Sequence, residues 1–249
     1  MEITSVNNEL VKDTVKLQQK KYRDKSGKFI LEGRKSVEEA CQYGILIDYA
    51  FVLQEKANEY GYLKDKLILT NEAVLKKIST TDTPPEIVAV AVQKQYDKNI
   101  LKSCKKVVLL ENIRDLGNLG TILRTSVAFG ADAVVLYGEC ADLYNPKCVR
   151  SSVGNLWKIP VVQFKEFDEL SVFNDFCRVA TLPKANSYLK DFKTVYPCVL
   201  MFGSESDGLS RELVDFANRE VKIEMAASVE SLNLSVSCAV ILYKLFCLQ

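Results

Sequence analysis

The 249-residue sequence contains no histidine. That excludes Ser-His-Asp and Cys-His catalysis and argues against a zinc site. Phosphate-cradling fingerprints are absent too. No G-x-G-x-x-G follows a strand and no G-x-x-x-x-G-K-[ST] occurs, which argues against dinucleotide oxidoreductases and P-loop enzymes. No apolar run is long and charge-free enough to span a bilayer. The most apolar run, Leu232 to Leu248, is interrupted by Asn233, serines and Lys244 and reads as a buried helix. The first residues lack the basic-then-apolar signature of a secretion signal. The eight cysteines form no C-x-x-C pair and sit mostly in apolar surroundings, as in a reduced, cytoplasmic protein. Acid–base chemistry therefore falls to carboxylates, Lys, Arg, Tyr, Cys or the substrate itself. Neither a metal nor a membrane is expected as a partner.

What is present is a globular composition, 48% apolar, with charges that nearly cancel. The net charge of +1 hides an asymmetry. Residues 1–106 carry 19 basic and 15 acidic side chains, and residues 107–249 carry 14 and 17. Within 12–35, nine basic residues stand against three acidic ones. Such a concentration suits contact with a phosphate backbone, and it equally suits a solvated helix face.

The first part reads as a small α/β unit, 1–94. Asn7 or Asn8 caps a helix to about Tyr22. Lys28–Glu32, Ile47–Leu53, Leu67–Leu69 and Ile87–Val92 are candidate strands. Gly33 opens a second helix that ends near Tyr43, and Thr70 or Asn71 caps a third. Lysine-rich 95–106 is taken as a linker. From 107 to 249, strand and helix alternate. The candidate strands are Val107–Leu110, Ala133–Tyr137, Ile159–Phe164, Val179–Leu182, Val199–Phe202 and Val221–Met225. The candidate helices are Leu119–Phe129, Pro146–Ser152, Phe167–Phe176, Leu209–Ala217 and Leu232–Cys247. Nearly all-apolar strands between helices predict a parallel sheet covered on both faces.

Three loops at strand ends carry the polar chemistry. The first, Glu111 to Arg124, has Gly117 and Gly120 to turn the backbone, and then Asn118 and Arg124. On the helix that follows, Leu119, Ile122, Leu123 and Ser126 form a core face. Arg124 projects among Thr121, Thr125 and Ala128, a small-residue face suited to another surface, either a ligand or a second subunit. Read alone, Arg124 is better taken as an ordinary exposed arginine. The second loop, Gly203-Ser-Glu205-Ser-Asp-Gly208, places a carboxylate between glycines, and Ser210 or Asp207 can cap the next helix. The third, Ala226 to Ser235, is more polar than one helix cap needs. Ser231 or Asn233 can supply that cap.

Together these loops resemble the SpoU–TrmH family of RNA ribose 2′-O-methyltransferases, within the SPOUT class. The match lies in Asn118-Leu-Gly120-Thr-Ile-Leu-Arg124, in Gly203-Ser-Glu205-Ser-Asp-Gly208, and in Ile223-Glu-Met225 followed by Ser231-Leu-Asn233-Leu-Ser235. The first part, through Ile3-Thr-Ser, Asn8, Lys20-Lys-Tyr-Arg23 and Phe29-Ile-Leu-Glu-Gly33, resembles the family's L30e-like substrate-binding domain. The implied fold is a parallel-sheet SPOUT domain with a C-terminal trefoil knot, preceded by a small α/β L30e-like domain.

The resemblance implies methyl transfer from S-adenosylmethionine to a ribose 2′-hydroxyl of structured RNA, ribosomal RNA foremost, by a homodimer. It implies cofactor contacts from Thr181, Leu182, Gly203, Ile223, Met225 and Leu232. It implies catalytic roles for Arg124, Asn118, Glu205, Ser231 and Asn233, with Glu205 orienting Arg124. The family assigns loss of the hydroxyl proton to this arginine. A guanidinium, which holds its proton throughout the range in which proteins work, suits anchoring phosphate and alkoxide charge better than taking a proton. RNA contacts are expected from Lys12, Lys16, Lys20, Lys21, Arg23, Lys28 and Arg34. The sequence departs from the family at Leu116 and Glu224, where proline is usual, and at Ala226-Ala227, where glycine is common. The competing readings are a non-catalytic RNA-binding protein that keeps the fold, a tRNA-directed 2′-O-methyltransferase, and a small-molecule α/β enzyme.

Overall fold

In a computed structural model of the protein, residues 1–247 are described. They form two compact units. Unit 1 comprises residues 1–94 and 142–157, and unit 2 comprises 95–141 and 158 onward. The chain thus leaves unit 2 after its second strand, contributes a helix to unit 1, and returns.

Unit 1 is built on a four-stranded sheet of β1 (Lys28–Glu32), β2 (Ile47–Leu53), β3 (Leu67–Thr70) and β4 (Ile87–Val92), in the order β1-β4-β2-β3. β4 runs antiparallel to both neighbours, and β2 and β3 are parallel. Helices α1 (Glu9–Lys16), α2 (Lys20–Ser26), α3 (Arg34–Gln42) and α4 (Glu72–Ile78) complete the first stretch. Val11, Leu17, Ile30, Phe51, Val74 and Leu75 meet in its core. The single helix expected from Asn8 to Tyr22 is broken. Asn8 caps it, but α1 ends at Lys16 and tightens into i→i+3 bonds over 17–19. A side chain from the next helix accounts for the break. The Leu17 carbonyl accepts 2.6 Å from the Arg23 guanidinium instead of from a helical amide.

The inserted segment carries α5 (Pro146–Ser152), capped by Asn145 with Pro146 at its first position. Phe29 holds it through rings, 4.8 Å from Tyr144 and 5.5 Å from Trp157. Two ion pairs add to this. Arg23, 1% exposed, pairs with Asp142, and Glu32 pairs with Arg150 at 2.6 Å.

Unit 2 holds a six-stranded, wholly parallel sheet. Its strands are β5 (Lys106–Glu111), β6 (Ala133–Tyr137), β7 (Val161–Phe164), β8 (Cys177–Thr181), β9 (Cys198–Phe202) and β10 (Arg219–Val221), ordered β10-β8-β9-β5-β6-β7. β5, β6 and β9 are buried along almost their whole length, as a doubly covered sheet requires. The helices are α6 (Leu116–Ala128), α7 (Arg211–Phe216) and α8 (Leu234–Leu242), the last continuing into a π-turn, Tyr243–Cys247. Short 3₁₀ segments replace the helix expected at 167–176 and occupy part of 95–106. In the latter, Leu101 is fully buried and joins the unit 2 core. No helix among the described residues is long and apolar enough to cross a membrane.

Two details depart from the sequence reading and shape the site. Helix α6 begins at Leu116, capped by Asp115, so Gly117 and Gly120 lie inside its first turns and do not make the turn. The turn is made by Asn112, in the left-handed region at φ 52°, which asparagine tolerates better than most residues. The strand expected at Val221–Met225 is instead Arg219–Val221. Beyond it, Lys222 bonds to the 187–189 segment in place of β8, which frees Ile223 and Met225 to form a wall.

Candidate active site

The carboxyl ends of β8, β9 and β10 open into a cavity of about 660 Å³. Thr181, Leu182, Gly203, Ile223, Met225 and Leu232 all line it. Glu205, Ser231 and Asn233 line it as well. Its walls combine apolar side chains with the exposed backbone of three loops.

The second loop is folded against itself. Ser204 and Gly208 exchange backbone hydrogen bonds at 3.1 Å in each direction. A β-carbon on Gly203 would stand 1.9 Å from the Gly208 carbonyl carbon. No other residue fits at 203, so the loop's shape depends on that glycine. Asp207 closes the turn. Hydrogen bonds from the Ser206 and Ser204 hydroxyls hold its carboxyl below the usual carboxylate range. Ser210 caps α7, and its amide donates 2.7 Å to the buried Glu111 carboxylate.

At the cavity mouth three residues from the three loops form one chain of hydrogen bonds. Asn118 Nδ2 donates 2.9 Å to Glu205 Oε1, and Asn233 Nδ2 donates 3.1 Å to Asn118 Oδ1. Its middle and one end are anchored. The Asn118 amide donates 2.7 Å to Asp115, and Asn233 Oδ1 caps α8. Side chains 115 residues apart in sequence are thereby held in one polar array.

Arg124 does not belong to that array. It is exposed, makes no hydrogen bond or ion pair among the described residues, and is not in the cavity lining. Within one chain Glu205 does not reach Arg124: its Oε1 accepts from Asn118 instead. Helix geometry explains the separation. Asn118 and Arg124 are six positions apart on α6, which puts them about 120° apart around the axis. Thr121 and Ala128 are exposed beside Arg124. On α8, which packs against α6, Val236, Val240 and Tyr243 are 48%, 40% and 48% exposed at i, i+4, i+7 spacing.

The basic residues expected to meet RNA fall into two groups. Lys12, Lys16, Lys20, Lys28 and Arg34 are solvent-accessible, each with a carboxylate partner at 2.6–3.1 Å. Lys21 lies 4.8 Å from the Tyr22 ring centroid. Arg23 is a correction. It is buried and its guanidinium is consumed by Asp142 and the Leu17 carbonyl, so it builds unit 1 and is not available to RNA. The residues that sequence reasoning passed over are Asp115, which caps α6, and Asn112, which makes the turn. An asparagine directly after an apolar strand was the available signal for the latter.

The family model for the SpoU rRNA methylase family matches residues 105–243, and that for the MRM3-like substrate binding domain matches residues 8–89. An uncharacterized tRNA/rRNA methyltransferase of Synechocystis sp. is 32% identical, over 97% of this chain and 92% of its own length. The 23S rRNA (guanosine(2553)-2′-O)-methyltransferase RlmP of Bacillus subtilis is 31% identical over 98% of each. Among solved structures, the AdoMet-bound rRNA methyltransferase from Sinorhizobium meliloti superposes with a TM-score of 0.91 at 30% identity, covering 98% of this chain and 96% of that one. The chain belongs to the SpoU rRNA methylase family.

Proposed function

We propose that the protein transfers a methyl group from S-adenosylmethionine to a ribose 2′-hydroxyl of ribosomal RNA, acting in the cytoplasm as a homodimer. We further read the chain from β9 to α8 as threaded in the trefoil knot of its class. The observation that carries the reading is the cavity at the ends of β8, β9 and β10, with Glu205, Asn118 and Asn233 linked at its mouth. Its size and apolar walls suit an adenosine, and the backbone groups of its loops suit the polar ends of the cofactor.

When bound, S-adenosylmethionine supplies an electrophilic methyl. The residues of this chain hold the two reactants side by side, which by itself provides much of a two-substrate rate enhancement. Asn118, fixed by Glu205 and Asp115, and Asn233 present amides to the target nucleotide, and Ser231 adds a hydroxyl. Arg124 anchors the adjoining phosphate and the charge that develops on the 2′-oxygen as its proton leaves.

Arg124 is exposed and does not line its own cavity, and we read it as serving the partner's. The apolar stripe of Val236, Val240 and Tyr243 next to it is the surface that a second copy would cover. Unit 1 brings RNA to the site through Lys12, Lys16, Lys20, Lys21, Lys28 and Arg34.

The test is transfer of labelled methyl from S-adenosylmethionine to 23S and other cellular RNA, followed by mapping of the modified nucleotide. Label on a ribose of ribosomal RNA is the expected result. Label on transfer RNA would move the substrate. Absence of transfer together with absence of cofactor binding by calorimetry would leave an RNA-binding protein that keeps the fold.

A further inference from the structure

A second, smaller cavity of about 110 Å³ lies between the ends of β5 and β9. Glu111, Asn112 and Arg114 form one side, and the 204–210 loop forms the other. This is the topological switch point of the sheet. From β5 the chain proceeds to β6 and β7 on one side, while β9 and β8 lie on the other. Ligands of open α/β sheets bind at such crevices, yet the large cavity sits one strand further along. Ser204, Asp207, Gly208 and Leu209 line both cavities. A group in the small cavity is therefore one loop's thickness from a group in the large one.

The walls are rigid. Asn112 keeps its left-handed backbone because its amide donates 3.0 Å to the Tyr137 carbonyl and its Oδ1 accepts 2.8 Å from the Glu139 amide. Ile113 is fully buried, and its carbonyl accepts from Ala141. With Ile113 turned in, Arg114 is turned out. It is exposed, makes no hydrogen bond or close ion pair among the described residues, is felt by the Asp207 carboxylate across the cavity only as a weak attraction, and is the one cation in the lining. A non-glycine residue held at positive φ by its surroundings is a recurrent feature of binding sites.

Size and charge narrow the ligand. A cavity of about 150 Å³ takes a benzene ring, so this one, at about 110 Å³, encloses neither a whole ring nor a nucleoside and takes only the edge of a group that rests at its mouth. Its two carboxylates, Glu111 and Asp207, disfavour an anion inside and accept from hydroxyls, while the arginine at its edge suits an anion outside. A sugar ring joined to a phosphate has both properties. Building on the methyltransferase reading above, we infer that this cavity receives the hydroxyl edge of a ribose of the RNA backbone next to the reacting nucleotide, and that Arg114 binds its phosphodiester. Arg114 is thus a specific anchor of the RNA strand in unit 2, apart from the basic surface of unit 1.

The test is binding and methylation of in vitro transcribed 23S ribosomal RNA over a range of salt concentrations. Arg114→Ala should lower the slope of log affinity against log salt by about 0.7, the value for one phosphate contact on a single strand. It should raise KM for RNA and leave kcat and S-adenosylmethionine affinity unchanged. Arg114→Lys keeps the charge and should restore the slope. Arg211→Ala, an exposed arginine paired with Asp215 on α7, should change nothing. An unaltered slope and KM in Arg114→Ala, with the intact protein active, overturns the inference alone. Failure of the intact protein to bind RNA or transfer methyl overturns both it and the reading on which it rests.

Discussion

Arg23 in unit 1 and Arg124 in unit 2 show two uses of the same side chain. Arg23 is 1% exposed, and its donors reach Asp142 and the Leu17 carbonyl. Arg124 is exposed and meets no partner among the described residues. The contrast extends to their neighbours. Glu32, also buried, accepts from Ser79, Thr80 and Arg150. Asn118, Glu205 and Asn233 bond to one another yet stay at a cavity mouth. A charge whose bonding capacity is used within the fold holds structure. A charge held in place but left with free capacity is available for a ligand. In unit 1 the satisfied charges tie the inserted segment 142–157 to the sheet. In unit 2 Arg124 stands without a partner on α6, while Asn118, Glu205 and Asn233 are held by one another at the strand ends.

The largest effect should come from breaking a satisfied charge. Arg23→Met leaves the Asp142 carboxylate, which is 13% exposed at its side chain, without its cation, and frees the Leu17 carbonyl. Removing one member of a buried pair costs about 3–5 kcal/mol. Urea unfolding should show that loss, while kcat measured per folded molecule stays the same. A loss below about 1 kcal/mol, the ceiling for an exposed pair, would mean that this one does not hold unit 1 together.

Removing the unsatisfied charge should do the opposite. Arg124→Ala should leave stability within about 0.5 kcal/mol, as for most exposed positions. It should lower kcat by about 10²–10³-fold, the cost of deleting one donor to developing negative charge, without weakening S-adenosylmethionine binding. The comparison sharpens on mixing. A heterodimer of Arg124→Ala with Asn118→Ala contains one intact site if Arg124 serves the partner's cavity, and none if it serves its own. Recovery of activity on mixing two weak variants therefore reads out the direction of Arg124. Full activity in Arg124→Ala alone removes it from the site.

Much of this was legible in the amino-acid sequence, for identifiable reasons. β1, β2, β4 and β6 are apolar runs bounded by turn residues, and their limits follow from that pattern alone. α5 begins with Asn145-Pro146 and is equally plain. The cavity-lining residues were within reach because each lies on a loop whose residue types resemble a known family. What escaped depends on partners outside the local pattern. Nothing near Leu17 shows that Arg23 will take its carbonyl and break the helix. Nothing near Arg23 shows that Asp142, 119 residues away, will bury it, and so a buried ion pair read as part of a basic surface. Gly117 and Gly120 looked like turn residues because glycine usually is one. Whether a glycine turns or continues a helix depends on where the cap falls, and here Asp115 set it earlier.

The third test addresses Glu32, where satisfaction is measurable as a pH dependence. Burial pushes its carboxyl up, but hydrogen bonds from Ser79 and Thr80, with the Arg150 guanidinium, outweigh burial and hold it below the ordinary carboxylate range. The folded state then binds fewer protons than the unfolded state in the interval between the two values. Stability must rise with pH across that interval. The contribution is fully present above the ordinary glutamate range and is lost as pH falls through the depressed folded value. Glu32→Gln removes the titration and the charge on these bonds together, and should cost about 2 kcal/mol at neutral pH. The difference between wild type and variant should shrink in acid, because a protonated Glu32 is neutral, as is the amide that replaces it. A difference that stays constant from neutral pH into acid would show that Glu32 acts through shape and not through charge, and would erase the distinction between the two units at this residue.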